Sequence, residues 1–224
     1  AVLGAGGQAE PPNGPPLARG AYPPLPPAVA RKAHAPTPGN QGRQGSWVAW
    51  ATAYAARTLV EARRFELGAR RAIDRTRFSP AFVYNQIRIG GCREGSYPSK
   101  ALDLMTRVGV VPLKDFPYSD KDCSRLPASD DLARAADYRI KGYRRLFSRA
   151  SSAKHIGVRR ALANGHPVII GMLVSENFMK SKGVYNSTSG DIAQLRSGNL
   201  GGHAMTVIGY DDTSMPMITG WPLA

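Results

Sequence analysis

A glycine-containing turn directly before a long helical pattern is the feature that most constrains the fold. Residues 40–46 read Asn-Gln-Gly-Arg-Gln-Gly-Ser, and the two glycines let the chain turn tightly. Apolar residues then recur at steps of three and four, which predicts a helix with one apolar face: Val48, Ala51, Ala55, Leu59 and Ala62. Three charged residues are expected on the opposite, polar face: Arg57, Glu61 and Arg64.

Further helices are predicted in the first half and strands in the second. Ser79 can cap a helix that has Pro80 in its first turn and stops at Gly90-Gly91. Two more helical patterns cover about residues 99–108 and 152–163, and two β-branched apolar runs predict buried strands at Val168–Val174 and Ala204–Tyr210. Residues 186–201 are rich in Gly, Ser and Asn and predict a loop. A helical part followed by a β-rich part indicates the α+β class.

Composition and charge narrow the class of protein. The 224 residues are 42% hydrophobic, and no apolar run reaches the ~18–20 residues that cross a bilayer, so the sequence predicts a soluble globular protein without a membrane span. The net charge is +14, but the basic residues occur as scattered pairs on helical patterns. No zinc-finger spacing or aromatic RNA-binding signature is present, so no specific nucleic-acid partner is expected. A general affinity for polyanions remains an alternative.

The first residues differ from the rest. Residues 1–38 hold ten of the eighteen prolines, which disfavours regular helix or sheet. We expect residues 1–21 to form a disordered arm and residues 22–224 to form the folded domain. Within that domain a helical lobe covers about 40–130, and a β lobe covers about 131–224 together with the 22–39 segment.

The turn and a distant histidine together resemble a known family. Gln41 stands six residues before Trp47, and His203 lies in a Gly-Gly-His-Ala segment that leads into an apolar strand ending in Gly-Tyr. This order resembles the papain-like cysteine peptidases, and the wording Val-Ala-Trp-Ala-Thr-Ala-Tyr after Trp47 resembles their bacterial branch. Gly91 to Pro98 resembles the family's Gly-Cys-x-Gly-Gly loop, and His166-Pro167-Val168 resembles its strand beside the S2 pocket.

The resemblance implies a two-lobed fold with a cleft, and peptide-bond hydrolysis as the family reaction. By position, His203 would be the general base, and Gln41 would contribute to the oxyanion hole. Four positions would bind substrate: Gly95, Ser96, Gly171 and Gly202. The implied partner is a peptide or protein, with no cofactor and no metal. The sequence does not specify an oligomeric state.

Two cysteines, Cys92 and Cys123, could form a disulfide in an exported protein or remain thiols in a cytosolic one. The family has cysteines of two separate disulfides at these positions, and Gln44 occupies the place of one usual partner. The resemblance thus makes Cys92 and Cys123 candidates for pairing with each other. No signal peptide is visible, but the chain begins with Ala1, and we expect a secreted or periplasmic location.

Two departures affect catalysis. Trp47 stands where the family has its nucleophilic cysteine, and no asparagine follows His203, although the family orients its histidine with one. The last strands of the β lobe are also expected to be missing, as in a truncated chain, which would leave an exposed sheet edge. The sequence therefore predicts a peptidase-family protein that is inactive as written. A non-catalytic peptide-binding protein and a basic adaptor for polyanions are the alternatives.

Overall fold

The computed structural model describes residues 24–147, 154–198, 200–213 and 217–220, the last four by their backbone only. The predicted arm, 1–21, lies outside the described residues. Within these residues the helix that begins at Trp47 is followed by seven others: α2 Arg70–Arg75, α3 Pro80–Ile87, α4 Pro98–Arg107, α5 Ser129–Ala135, α6 Lys154–Ala163, α7 Glu176–Lys180 and α8 Ser189–Ser197. Two 3₁₀ turns cover Lys32–His34 and Ala136–Tyr138.

The central helix begins at Trp47, directly after the glycine turn. It has an α-helical first turn, Trp47–Ala49, a π-helical stretch, Trp50–Arg57, and an α-helical end, Thr58–Arg64; we call the whole of 47–64 α1. Every residue of the π-helical stretch is buried, because α3, α4 and the sheet pack around the helix. The helix predicted from periodicity is confirmed. Periodicity did not predict the π-helical stretch, which has a different hydrogen-bond spacing.

The predicted polar face of α1 is wrong at two of its three residues. Arg57 and Glu61 are 5% and 6% exposed, and they form an ion pair with 2.6 Å between Nη1 and Oε2. The Arg57 guanidinium also lies 4.4 Å from the centre of the Phe78 ring. An α-helix covered on nearly all sides buries charges only when they are paired, and this pairing cannot be read from periodicity.

Two predicted helices of the first half are confirmed. Ser79 caps α3, since its Oγ accepts a hydrogen bond from the Phe82 amide at 3.0 Å, and Pro80 is the first residue. Helix α4 ends at Arg107, and Gly109 follows with a φ of +99°, a left-handed conformation that favours glycine. These helices and α1 enclose the main hydrophobic core.

The sheet is built on one long strand. It contains β1 Ala28–Ala30, β2 Val168–Val174, β3 Gly201–Asp211 and β4 Met217–Gly220. Strand β3 pairs antiparallel with the other three: β2 runs along residues 201–207, β1 along 209–211, and β4 along 207–211 with a register shift. Both strands predicted from the apolar runs are confirmed. Strand β4 also follows β3 within the described residues and pairs with it.

The predicted loop at 186–201 is wrong, because it contains α8. Thr188 caps this helix: its Oγ1 accepts a hydrogen bond from the Asp191 amide, and the Asp191 carboxylate accepts one from the Thr188 amide at 2.7 Å. Gly198 ends the helix with a φ of +76°. The Thr-x-x-Asp pattern and the terminal glycine indicate the start and the end of a helix. The prediction of a loop relied on the Gly/Ser/Asn content instead.

Candidate active site

The turn before α1 is held by its glycines. Gly42 has a φ of +61°, and its amide donates to Oδ1 of Asn40 at 2.7 Å. The Gly45 amide donates to the Cys92 carbonyl at 2.9 Å, and a Cβ at Gly45 would lie 2.2 Å from the Glu94 carbonyl oxygen. Gly45 is therefore needed for the close approach of two backbone segments, the turn and the loop at 91–96.

The loop at 91–96 is fixed to the helical core by a disulfide. Cys92 and Cys123 are bonded, with their Cα atoms 5.6 Å apart, which confirms that the two cysteines pair with each other. The Tyr84 hydroxyl lies 2.6 Å from the Glu94 carbonyl oxygen. One edge of the cleft is thus a short loop with three independent attachments: the disulfide, Tyr84 and Gly45.

Trp47 extends its indole across this loop and towards the sheet. A Cβ at Gly95 would lie 2.6 Å from Cζ2 of Trp47, so the indole rests directly on the Gly95 backbone. The centre of the indole lies 6.3 Å from the centre of the His203 ring, with the planes tilted by 46°. The half-buried Trp47 side chain therefore bridges the two predicted sides of the site.

His203 lies near the start of β3, opposite Met172 of β2. It is half-buried, and burial lowers the pKa of its imidazole below the ordinary value, because the charged form loses hydration. No hydrogen bond within the described part of the chain involves its ring. The lowered pKa favours the neutral imidazole, and the ring faces the indole of Trp47.

Gln41 is anchored inside the turn. Its side-chain Nε2 donates to the Gln44 backbone carbonyl at 2.7 Å. The backbone carbonyl of Gln41 accepts a hydrogen bond from the Tyr118 hydroxyl, also at 2.7 Å. Tyr118 also lies 2.7 Å from Oγ of Ser46. One of the two Nε2 hydrogens of Gln41 is therefore committed to the turn, and no bond among the described residues uses the other.

Of the four predicted substrate-binding residues, one lines the cleft and three lie elsewhere. Gly202 lines the same cleft as Gln41, Trp47 and His203. Gly95 lies under the indole, and Ser96 is 8% exposed with no hydrogen-bond partner for its Oγ among the described residues. Gly171 pairs with Ala204 in the sheet, one position from His203 on β3. These three do not line the cleft.

The cleft has a volume of about 630 Å³. Besides the predicted residues, its lining includes side chains to which the family resemblance assigned no role: Arg43, Arg93, Val174, Ser175, Glu176, Met179 and Lys180. Most of these lie at the end of β2, which the sequence predicted, and in or directly before α7, which it did not predict. The Ser-x-x-Phe cap of α7, in which Ser175 Oγ accepts from the Phe178 amide at 3.2 Å, was the available signal.

Neither a metal centre nor a membrane helix is evident in the described part of the chain. No group of three or more His, Cys, Asp or Glu side chains there could hold an ion. Of the helices described, none is both long and apolar enough to cross a bilayer.

The fold matches those of solved cysteine proteases. Xylellain, a cysteine protease from Xylella fastidiosa, is 26% identical with a TM-score of 0.65, over 85% of this chain and 72% of that one. The proform of the ragweed pollen cysteine protease Amb a 11 is 20% identical with a TM-score of 0.66, over 96% of this chain and 61% of that one. Bromelain from Ananas comosus, in complex with E64, is 20% identical with a TM-score of 0.60, over 84% and 77% of the two chains.

No family model matches the sequence, and no curated protein matches it either. The structural matches nevertheless extend over most of this chain, 85% of it for xylellain and 96% for the ragweed protease. The chain therefore has the papain-like cysteine protease fold.

Proposed function

We propose that this chain binds peptides in a papain-like cleft without hydrolysing them. One observation carries the proposal: the indole of Trp47 lies at the start of α1, on the Gly95 backbone and 6.3 Å from the His203 ring. By the sequence resemblance this is the place of the nucleophile, and the family reaction is peptide-bond hydrolysis. An indole supplies no nucleophile.

The chemistry of thiol peptidases explains the expected inactivity. Such enzymes need a thiolate, a base that generates it, and donors for the oxyanion. His203 and the start of α1 remain, but both cysteines of this chain are in the disulfide. Removing the nucleophile of a triad enzyme lowers turnover on the order of 10⁶-fold, so the remaining groups leave only background hydrolysis.

A hydrolysis assay tests the catalytic half of the proposal. We expect the native chain to release no fragments from a mixed peptide library, because His203 has no thiol to activate. Trp47→Cys should create a thiol that iodoacetamide labels, while Trp47→Ser should remain unlabelled as its control. If the native chain hydrolyses peptides and His203→Ala does not, the proposal is overturned. That result would show that His203 supports catalysis although Trp47 stands at the place of the nucleophile.

Peptide binding is supported by the open cleft beside the indole. The volume of about 630 Å³ is large enough for several side chains, and Trp47 forms part of its wall. A peptide that packs against the indole is expected to change its fluorescence, and the signal should be lost in Trp47→Phe. Failure of a broad peptide library to bind would contradict this half of the proposal.

The polyanion-adaptor alternative has weaker support. Several arginines of the scattered pairs already have structural partners: Arg63 donates to the Gly165 carbonyl, Arg70 to the Ala35 carbonyl, and Arg159 pairs with Asp212. Such arginines contribute to folding rather than to a continuous basic surface. Strongly salt-dependent binding of a polyanion, spread over these pairs, would favour the adaptor instead.

A further inference from the structure

We propose that the cleft selects acidic peptides, and that Arg43 and Arg93 are the residues that determine this selectivity. The inference rests on the proposed function, because it assigns a ligand class to the same cleft. Arg43 lies in the glycine turn and Arg93 in the loop at 91–96, but the family resemblance assigned neither residue a role, and both lie on the cleft wall beside Trp47.

The charged side chains of the cleft are mostly cationic. Its lining holds Arg43, Arg93 and Lys180 against a single carboxylate, Glu176. Lys180 Nζ lies 3.2 Å from the Glu176 carboxylate, and both side chains are largely exposed. Because this pair compensates its own charge, the two arginines carry the remaining charge of the cleft lining; the Asp120 carboxylate lies against Gly42 but is not part of that lining.

Neither arginine has a partner within the described part of the chain. No hydrogen bond, ion pair or ring contact there involves the side chain of Arg43 or Arg93, and both are exposed. Arg57 and Arg159, by contrast, are in ion pairs. Two unpaired guanidinium groups on one cleft wall favour a ligand that carries carboxylates, since guanidinium donors match carboxylate oxygens geometrically.

The two arginines are also presented by a rigid support. Arg43 lies in the turn between Gly42 and Gly45, and Arg93 follows Cys92 of the disulfide. The hydrogen bond from the Gly45 amide to the Cys92 carbonyl joins these two backbone segments. Both side chains therefore extend from one fixed junction, so a bound carboxylate would not have to order a mobile loop.

Most other donors near them are already committed. The Gly42 amide donates to Asn40, the Gly45 amide to Cys92, and one Nε2 hydrogen of Gln41 to the Gln44 carbonyl. The guanidinium groups of Arg43 and Arg93 are therefore the charged donors at this junction that no bond among the described residues uses, together with the second Nε2 hydrogen of Gln41.

Apolar side chains in the same cleft favour a peptide over a small anion. Met179 is 59% exposed on α7, and Val174 and the indole of Trp47 line the cleft with it. A flexible exposed Met adapts to varied side chains. An acidic peptide that also carries apolar residues would engage both the arginines and this wall.

The test is calorimetric titration of the full chain with an end-blocked hexapeptide of alternating Glu and Leu, and with its Gln-for-Glu counterpart. We expect the Glu peptide to bind at least about tenfold more tightly than the Gln peptide. The double variant Arg43→Gln and Arg93→Gln should lose about tenfold for the Glu peptide and little for the Gln peptide. The matched control is Arg71→Gln with Arg75→Gln, which removes the same charge from α2, outside the cleft lining.

Each outcome decides between supporting and overturning the inference. Equal binding of both peptides, or an unchanged double variant, would overturn the acidic selectivity and leave the proposed peptide binding intact. An equal loss in the control variant would also overturn it, because the effect would then be general attraction of polyanions. Release of peptide fragments during the titration would instead contradict the proposed lack of catalysis.

Discussion

At the scale of single residues, the contact between Trp47 and Gly95 decides what the cleft can hold. The indole lies on a backbone that the family resemblance assigns to substrate binding, with a hypothetical Cβ at Gly95 only 2.6 Å from Cζ2. A bound peptide cannot occupy that position while the indole is there. Position 47, where the family resemblance implies a nucleophile, therefore holds a side chain that limits the space in the cleft.

Gly95→Ala tests this contact. We expect it to lower the free energy of unfolding by about 1–3 kcal/mol, because the new methyl group overpacks against the indole. In a Trp47→Ala background the same substitution should cost much less, since the space is then open. Urea unfolding of the four chains measures the coupling between the two residues, and a cost that is independent of Trp47 would contradict the contact.

His203 gives a pH dependence of stability. Burial lowers its folded-state pKa, so the unfolded chain binds its proton first as the pH falls. Above the ordinary pKa of about 6.5 both states are neutral and the full stability is present. Stability is then lost as the pH falls from about 6.5 through the lowered folded-state pKa.

Urea unfolding at pH 7.5 and pH 5.5 measures this effect. Native protein should lose more stability between the two values than His203→Gln does, because the variant lacks the titrating ring. A larger loss in the variant would show that the folded-state pKa is raised instead.

At the scale of secondary-structure elements, local capping signals determined where several helices begin. Ser79 and Pro80 predicted the start of α3 correctly because the cap depends on neighbours in sequence. The same kind of signal existed for α8 in Thr188 and Asp191, but composition outweighed it. Periodicity predicted the polar face of α1 wrongly, because tertiary packing buries Arg57 and Glu61.

Thr188→Ala tests the cap of α8. Losing the side-chain acceptor for the Asp191 amide should destabilise the helix by about 1 kcal/mol. Amide hydrogen exchange should become faster in α8 and remain unchanged in α1. Ser189→Ala, one residue further on, is the control because Ser189 Oγ makes none of the described capping bonds; an equal effect in this control would contradict the assignment.

At the scale of the whole molecule, the disulfide links one edge of the cleft to the helical core. Cys92 and Cys123 are separated by 31 residues in sequence, and a crosslink over such a loop stabilises a fold by about 2–4 kcal/mol. It also fixes the loop that contacts both Gly45 and Trp47.

Replacing both cysteines by serine should therefore lower the free energy of unfolding by about 2–4 kcal/mol. The fluorescence of Trp47 should change as well, because the loop beneath its indole loses one attachment. Treatment of the native chain with a reductant should reproduce both effects and have no effect on the double serine variant. Unchanged stability after complete reduction would contradict a structural role for the bond.

The sequence by itself determined the fold, the two buried strands, most helices of the first half, and the order of Gln41, Trp47 and His203. These features depend on local patterns in the sequence, such as periodicity, capping residues and apolar runs. Only the tertiary structure decided that Cys92 bonds to Cys123, that Trp47 rests on Gly95, and that Arg43 and Arg93 share a cleft wall with α7. Contacts between distant segments depend on how elements pack, and no local pattern encodes that packing.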